Sequence, residues 1–272
     1  MTWQLYQGDH LEIIPKHIED ESIDLTVTSP PYDNLRDYTG YKFDYERLAK
    51  ELYRVTKPGG VVVWVVGDTT KDFCESLTSF TQAKCFVEQC GFKLLDTMIY
   101  GKENYAPAYP NLMRYSNQFE YMFVFLKGRK PKTFNPITIA KSDSTIERRK
   151  YSQIGAYRQR DGSFKRNLIQ CKDEANKQAA NVWFYPVSYG NSTTDKIAFN
   201  HPAIFPEKLA HDHIVSWSNP GDIVLDPMAG SGTVLKVAEQ LGRESIGIEI
   251  SEEYCDIIKK RMANFQMTIF NL

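Results

Sequence analysis

At 272 residues, with 42% hydrophobic and 25% charged residues, the chain suits one large globular domain or one domain carrying a small lobe. No apolar run reaches the roughly 20 residues of a membrane helix, and the start Met1-Thr2-Trp3-Gln4-Leu5-Tyr6 lacks a basic stretch followed by an apolar one, so a cytosolic protein with no membrane partner is expected. A net charge of -1 argues against a uniformly basic nucleic-acid binder, and five cysteines without a C-x-x-C pair argue against a disulfide framework or a zinc site.

The first element is a short strand, Trp3 to Gln7, ending in Gly8-Asp9. Ile23 to Thr28 and Val61 to Val66 are runs of β-branched and apolar residues, the pattern of strands buried on both faces of a mainly parallel sheet. Between them, Tyr45 to Val55 carries Leu48, Leu52 and Val55 at helical spacing and is ended by Lys57-Pro58-Gly59-Gly60, completing a βαβ unit. Leu94 to Tyr100 and Phe119 to Leu126 follow as strands of a hairpin-like extension at one sheet edge.

From Lys127 to about Asn200 periodicity weakens, which marks a large insertion or a small lobe. Lys127 to Lys172 holds 13 of the 33 basic residues but only three of the 34 acids, leaving 20 basic against 31 acidic residues elsewhere. Phe134, Tyr151, Tyr157 and Phe164 interleave with these cations, a composition suited to nucleic acid and also to a solvated face. The chain then returns to order: helix Pro206 to Trp217, turn Asn219-Pro220-Gly221-Asp222, strand Ile223 to Leu225, a Gly-rich turn, helix Val234 to Gly242, strand Glu244 to Ile250 and a final helix. The expected division is 1–130, 131–200 and 201–272.

Two turns carry candidate chemistry. Asp226-Pro227-Met228-Ala229-Gly230-Ser231-Gly232-Thr233 joins a strand to a helix, and its glycines admit positive φ and let a ligand approach backbone amides. Glu249 ends the next strand, where a carboxylate can accept hydrogen bonds from both hydroxyls of a ribose. Leu235 stands where the dinucleotide fingerprint G-x-G-x-x-G wants glycine, so a mononucleoside ligand is preferred to NAD. The second turn, Ser29-Pro30-Pro31-Tyr32, ends the first long strand. Its prolines fix φ and remove amide donors, its carbonyls suit an amino group, and Tyr32 offers a stacking ring. The plain alternatives are a tight βα turn and a Pro-rich strand end.

Together the two turns resemble the amino-group DNA methyltransferases of restriction-modification type, whose catalytic motif is D/N/S-P-P-Y/F. The match to that motif is Ser29 to Tyr32, and the match to the cofactor motif D-P-x-x-G-S-G-T is Asp226 to Thr233. Because the catalytic motif comes first and a basic variable segment lies between the two, the order resembles the circularly permuted β class. The resemblance implies a Rossmann-like α/β sheet, permuted, that uses S-adenosylmethionine without a metal and carries an inserted target-recognition region.

It assigns Ser29, Pro30, Pro31 and Tyr32 to catalysis. The cofactor would be held by Asp9, Phe205 (within His201 to Pro206, the segment packing on the methionine end), Asp226, Pro227, Ala229, Gly230, Ser231, Gly232, Thr233 and Glu249. The implied partner is double-stranded DNA, contacted by Arg36, Arg148, Arg149, Lys150, Arg158, Arg160, Lys165 and Arg166, with a nucleoid-associated location. A cognate endonuclease acting separately, and either a monomer or a homodimer, are compatible with it. Serine in the first motif position favours cytosine N4 over adenine N6 as the target of a flipped base. RNA or protein-glutamine methylation, and a non-catalytic nucleic-acid-binding module, are the competing readings.

Overall fold

The computed structural model describes residues 2–31, 43–104, 113–141, 154–168, 176–187, 190–204 and 206–270. Two compact units are present: residues 1–135 with 181–272, and residues 136–180. Residues 131–135 and 181–200, read above as part of the inserted region, therefore belong to the first unit.

The strands of the first unit, with their small hairpin, are β1 (Trp3–Gln7), β2 (Ile23–Thr28), β3 (Thr56–Val66), β4 (Thr70–Lys71), β5 (Cys74–Glu75), β6 (Lys93–Lys102) and β7 (Phe119–Leu126). The second unit supplies β8 (Thr138–Ala140), β9 (Ile154–Arg158), β10 (Phe164–Leu168) and β11 (Asn176–Gln178). The chain then returns to the first unit with β12 (Val182–Tyr185), β13 (Ile223–Asp226) and β14 (Glu244–Glu249). Eight strands form the main sheet in the order β1-β14-β13-β2-β3-β7-β6-β12. β1, β14, β13, β2 and β3 are mutually parallel, β7 runs antiparallel to both β3 and β6, and β12 lies parallel to β6 outside the hairpin.

The helices are α1 (His10–His17), α2 (Tyr45–Val55), α3 (Thr78–Glu88), α4 (Glu207–Trp217), α5 (Thr233–Gln240) and α6 (Glu252–Phe270). Alternation along the central strands divides the core between the two sheet faces. Val61, Val63 and Val65 pack with Leu25, Val27, Leu209, Ile214, Val234 and Val237 beneath α4 and α5. Val62, Trp64 and Val66 pack with Leu48, Leu52, Val55 and Phe86 beneath α2 and α3. A run with no polar face is what a strand covered on both sides requires. The buried Trp64 satisfies its indole N–H on Gln82 Oε1 at 2.8 Å, which avoids the cost of an unpaired desolvated donor.

The structure corrects one boundary. Lys57-Pro58-Gly59-Gly60 does not separate helix from strand but lies within β3, which starts at Thr56. The register steps from Ile23↔Thr56 to Leu25↔Val61, so these residues bulge out of the ladder. Gly60 is obligatory there, because a Cβ would sit 2.9 Å from the Asp24 carbonyl oxygen.

In the second unit β9 and β10 form an antiparallel hairpin and β8 pairs with β11. The hairpin turn is closed by Asp161, whose Oδ1 accepts from the Ser163 amide and hydroxyl at 2.9 and 2.7 Å, and by Gly162 at φ +85°. Among the described residues no helix is long and apolar enough to cross a membrane.

Candidate active site

The parallel strands β1, β14, β13 and β2 deliver Gly8-Asp9, Glu249, the Gly-rich turn and Ser29-Pro30-Pro31 to one edge of the sheet. From β13 the chain crosses to α5, whose Val234 and Val237 pack on the α4 side; from β2 it proceeds to α2 on the other side. Neighbouring strands whose connections leave to opposite faces open a crevice between them, the place where α/β sheets bind ligands. Two motifs about 200 residues apart in the chain thus become neighbours through the β2–β13 pairing, Val224↔Leu25 and Leu225↔Thr26.

The Gly-rich turn is tightly braced. Gly232 stands at the N-terminus of α5 with φ +77°, and a Cβ there would meet Ile258 at 3.0 Å. Gly230 has φ +53°, and a Cβ would lie 3.1 Å from two atoms of the His201 ring, so that ring rests directly on the turn. The Gly230 amide donates to Glu249 Oε2 at 2.8 Å, and the Ser251 amide to Oε1 at 2.9 Å. Burial raises the Glu249 pKa against the lowering effect of these bonds. With the Ile250 amide also bonding the carboxylate, three of its roughly four acceptor directions are used, and the remaining capacity faces ligand hydroxyls.

Ser231 and Thr233 turn inwards. Arg261 of α6, completely buried, donates to the Ser231 carbonyl at 2.7 Å and to the Ser231 and Thr233 hydroxyls at 3.3 Å each. The same guanidinium pairs with Asp195 at 2.9 Å and Glu207 at 2.6 Å, and Lys236 pairs with both carboxylates at 2.7 and 2.9 Å. Two buried cations against two half-buried anions give a balanced quartet, with the charges paired as desolvation demands. The Asp195 pKa is accordingly lowered, burial acting against its bonds to Lys236 and Arg261.

Asp226, 2% exposed, opens this turn. Its Oδ1 accepts from the Thr28 hydroxyl at 2.8 Å and from the Met228 amide at 3.1 Å, and burial pushes its pKa up to about 7. Pro227 and Ala229 are buried, and Met228 and Gly230 are half-buried. Asp9 caps α1, its Oδ1 accepting from the Leu11 amide at 2.8 Å. Ser29 and Pro31 are half-buried and Pro30 is buried at the end of β2. Exposed Arg158, Arg160 and Lys165 are grouped on the β9–β10 hairpin of the second unit. Tyr32, Arg36, Arg148, Arg149, Lys150, Phe205 and the side chain of Arg166 lie outside the described residues.

A DNA methylase family model of N6/N4 type matches residues 23–260. The chain belongs to this DNA methylase family. The methylase is 53% identical over 250 residues to the orphan methyltransferase M.BamHII of Bacillus amyloliquefaciens, covering 92% of each chain. To the type II methyltransferase M.BamHI of the same organism it is 30% identical over 277 residues, 96% of this chain but 57% of that protein. Its fold matches that of the cytosine-N4-specific PvuII DNA methyltransferase, with a TM-score of 0.69 at 21% identity over 99% of this chain and 93% of the other. A protein from Thermus thermophilus described as a DNA modification methylase, in complex with S-adenosyl-L-methionine, gives a TM-score of 0.62 at 26% identity over 96% and 93%.

Several residues that brace the two turns stand out little in the methylase's sequence. Thr28 reads as one more β-branched strand residue. Arg261 hides among Lys259 and Lys260, although it shares the helical stripe of Ile258 and Met262, and a charge inside an apolar stripe is itself a signal. Lys236, Asp195 and Glu207 carry no local signature, because their quartet exists only after folding.

Proposed function

We propose that the protein transfers a methyl group from S-adenosylmethionine to the exocyclic amine of a base extruded from double-stranded DNA, with cytosine N4 as the target. The supporting observation is the juxtaposition of the Ser29-Pro30-Pro31 turn with the Gly-rich turn on adjacent parallel strands, tied by the Thr28–Asp226 hydrogen bond. A nucleoside cofactor fits the donor set. Gly230 presents backbone without a Cβ beside the His201 ring, and Glu249 is a buried carboxylate with unused acceptor capacity.

When bound, S-adenosylmethionine supplies an electrophilic methyl group on a sulfonium. Glu249 would take the ribose hydroxyls, Gly230 and the braced turn would carry the rest of the nucleoside, and Asp9 would lie towards the adenine. Ser29 and the Pro30 carbonyl would accept the two N–H bonds of the target amine. Holding both N–H bonds directs the nitrogen lone pair away from the base plane and raises its nucleophilicity, so rate comes from positioning and fixed dipoles. Tyr32 would stack on the extruded base, offsetting part of the few kcal/mol that unpairing costs.

Arg158, Arg160 and Lys165 on the second unit's hairpin would contact duplex phosphates and base edges, Arg being suited to bidentate recognition of guanine. Serine at position 29 and the shared fold of a cytosine-N4-specific enzyme support cytosine. Incubation with plasmid DNA and isotopically labelled S-adenosylmethionine, followed by digestion and mass spectrometry of nucleosides, is expected to yield labelled N4-methylcytosine. Labelled N6-methyladenine would replace the target base, and unlabelled DNA would overturn the reading.

A further inference from the structure

We infer that Thr28 and Asp226 are a positioning pair that sets the catalytic turn against the cofactor turn. The inference rests on the methyl-transfer reading above. Neither residue needs to touch the reacting atoms.

β2 and β13 pair at Leu25↔Val224 and Thr26↔Leu225, and their recorded register ends there. Beyond it, Pro30 and Pro31 have no amide hydrogen, so neither can extend the ladder by donating a main-chain bond. Ser29 nevertheless has to be held at a defined height over the Gly-rich turn, because displacing a reacting group by about 1 Å can cost about a hundredfold in rate.

On its other side β2 stays paired with β3 as far as Thr28↔Trp64; towards β13, a link above the last ladder pair is the Thr28 hydroxyl, fully buried and one residue before Ser29, donating to Asp226 Oδ1 at 2.8 Å. That same oxygen accepts the Met228 amide at 3.1 Å, at the start of the Gly-rich turn. One carboxylate oxygen therefore ties both turns. The cofactor turn has independent braces in Glu249 and Arg261, so loss of the Thr28 hydroxyl releases the catalytic side selectively. A purely structural threonine would instead affect both sides or neither.

The test compares Thr28→Val, which keeps the branched shape without the donor, with Thr28→Ser, which keeps the donor. Methyl transfer to DNA is measured alongside cofactor affinity by calorimetry and thermal unfolding of the full chain. For Thr28→Val, kcat is expected to fall about 10- to 100-fold with cofactor Kd essentially unchanged, and Thr28→Ser is expected to recover most of the rate. If Thr28→Val does not fold, Thr28→Ala against Thr28→Ser provides the same contrast.

The inference is overturned if Thr28→Val turns over like the wild type. It is also overturned if cofactor affinity falls in step with rate, or if Thr28→Ser is as impaired as Thr28→Val. A wild-type protein inactive on DNA would instead bring down the methyl-transfer reading, and this inference with it.

Discussion

The two turns that meet at the crevice are held in different ways. The Gly-rich turn is fixed from outside: Glu249 takes the Gly230 amide, the His201 ring lies against Gly230, and buried Arg261 grips Ser231 and Thr233. The Ser29-Pro30-Pro31 turn carries two prolines of fixed φ, and its root at Thr28 is held by pairing with Trp64 of β3 and by the hydroxyl bond to Asp226. The Gly-rich turn is therefore braced from several distant chain segments, whereas the proline turn combines a local restraint with a long-range tie at its root. Damage to the first should cost folding and cofactor binding together; damage to the second should cost rate.

Breaking the bracing of the Gly-rich turn has the largest expected effect. Arg261→Met leaves Asp195 with Lys236, and Glu207 with Lys236 and the Thr193 hydroxyl; because the two carboxylates keep some contact with solvent, the cost is expected on the order of 3 kcal/mol, the lower end for a broken buried pair. Denaturant unfolding should register this loss, and calorimetry should show weakened cofactor binding; unchanged cofactor affinity would contradict the bracing role.

Asp226 gives a pH-dependent version of the comparison. Burial raises its pKa from 3.8 to about 7, so the native state holds the proton more tightly than the unfolded chain. Its contribution to stability is therefore full at low pH and is lost as pH rises between those two values. His10 and His213, lowered by burial to about 4 and about 3, act with the opposite slope, because the unfolded chain takes up their protons first as pH falls below 6.5. The difference between Asp226→Asn and the wild type isolates the aspartate. It should grow in favour of the variant by up to about 4 kcal/mol from pH 4 to pH 8, measured by urea unfolding across that range. Parallel stability curves would refute this assignment.

Gly230→Ala sharpens the account more gently. A side chain at φ +53° costs about 1–2 kcal/mol, and the added methyl presses on the His201 ring. Cofactor affinity should fall several-fold, with a modest drop in thermal stability. The smallest effect belongs to the second unit. Arg158→Ala with Lys165→Ala should leave cofactor binding untouched and reduce the salt slope of DNA binding by about 2 if both contact phosphates. An unchanged slope in fluorescence titrations would remove these side chains from the phosphate contacts.

Much of the frame is legible from residue patterns because it obeys local rules. The limits of α2 and β7 follow from helical spacing and a continuous apolar run, and helix α4 follows Pro206 as expected. Both motifs are visible as turns at strand ends. What escapes is non-local. Lys57 to Gly60 has the composition of a turn, and only pairing with β2 makes it a bulge in β3. β12, a four-residue Val-Trp-Phe-Tyr segment, becomes a strand by pairing with β6 about 80 residues earlier. The Thr28–Asp226 bond and the Arg261 quartet join segments that no spacing rule connects.

The most direct test of the division between the turns is the single-turnover rate of Ser29→Ala, measured on DNA with the cofactor site saturated. Loss of one preorganised hydrogen-bonding partner for the target amine should slow transfer about a hundredfold, while cofactor affinity and thermal stability stay at wild-type values. Transfer at the wild-type rate would contradict the account, because the turn would then not be holding the amine that reacts.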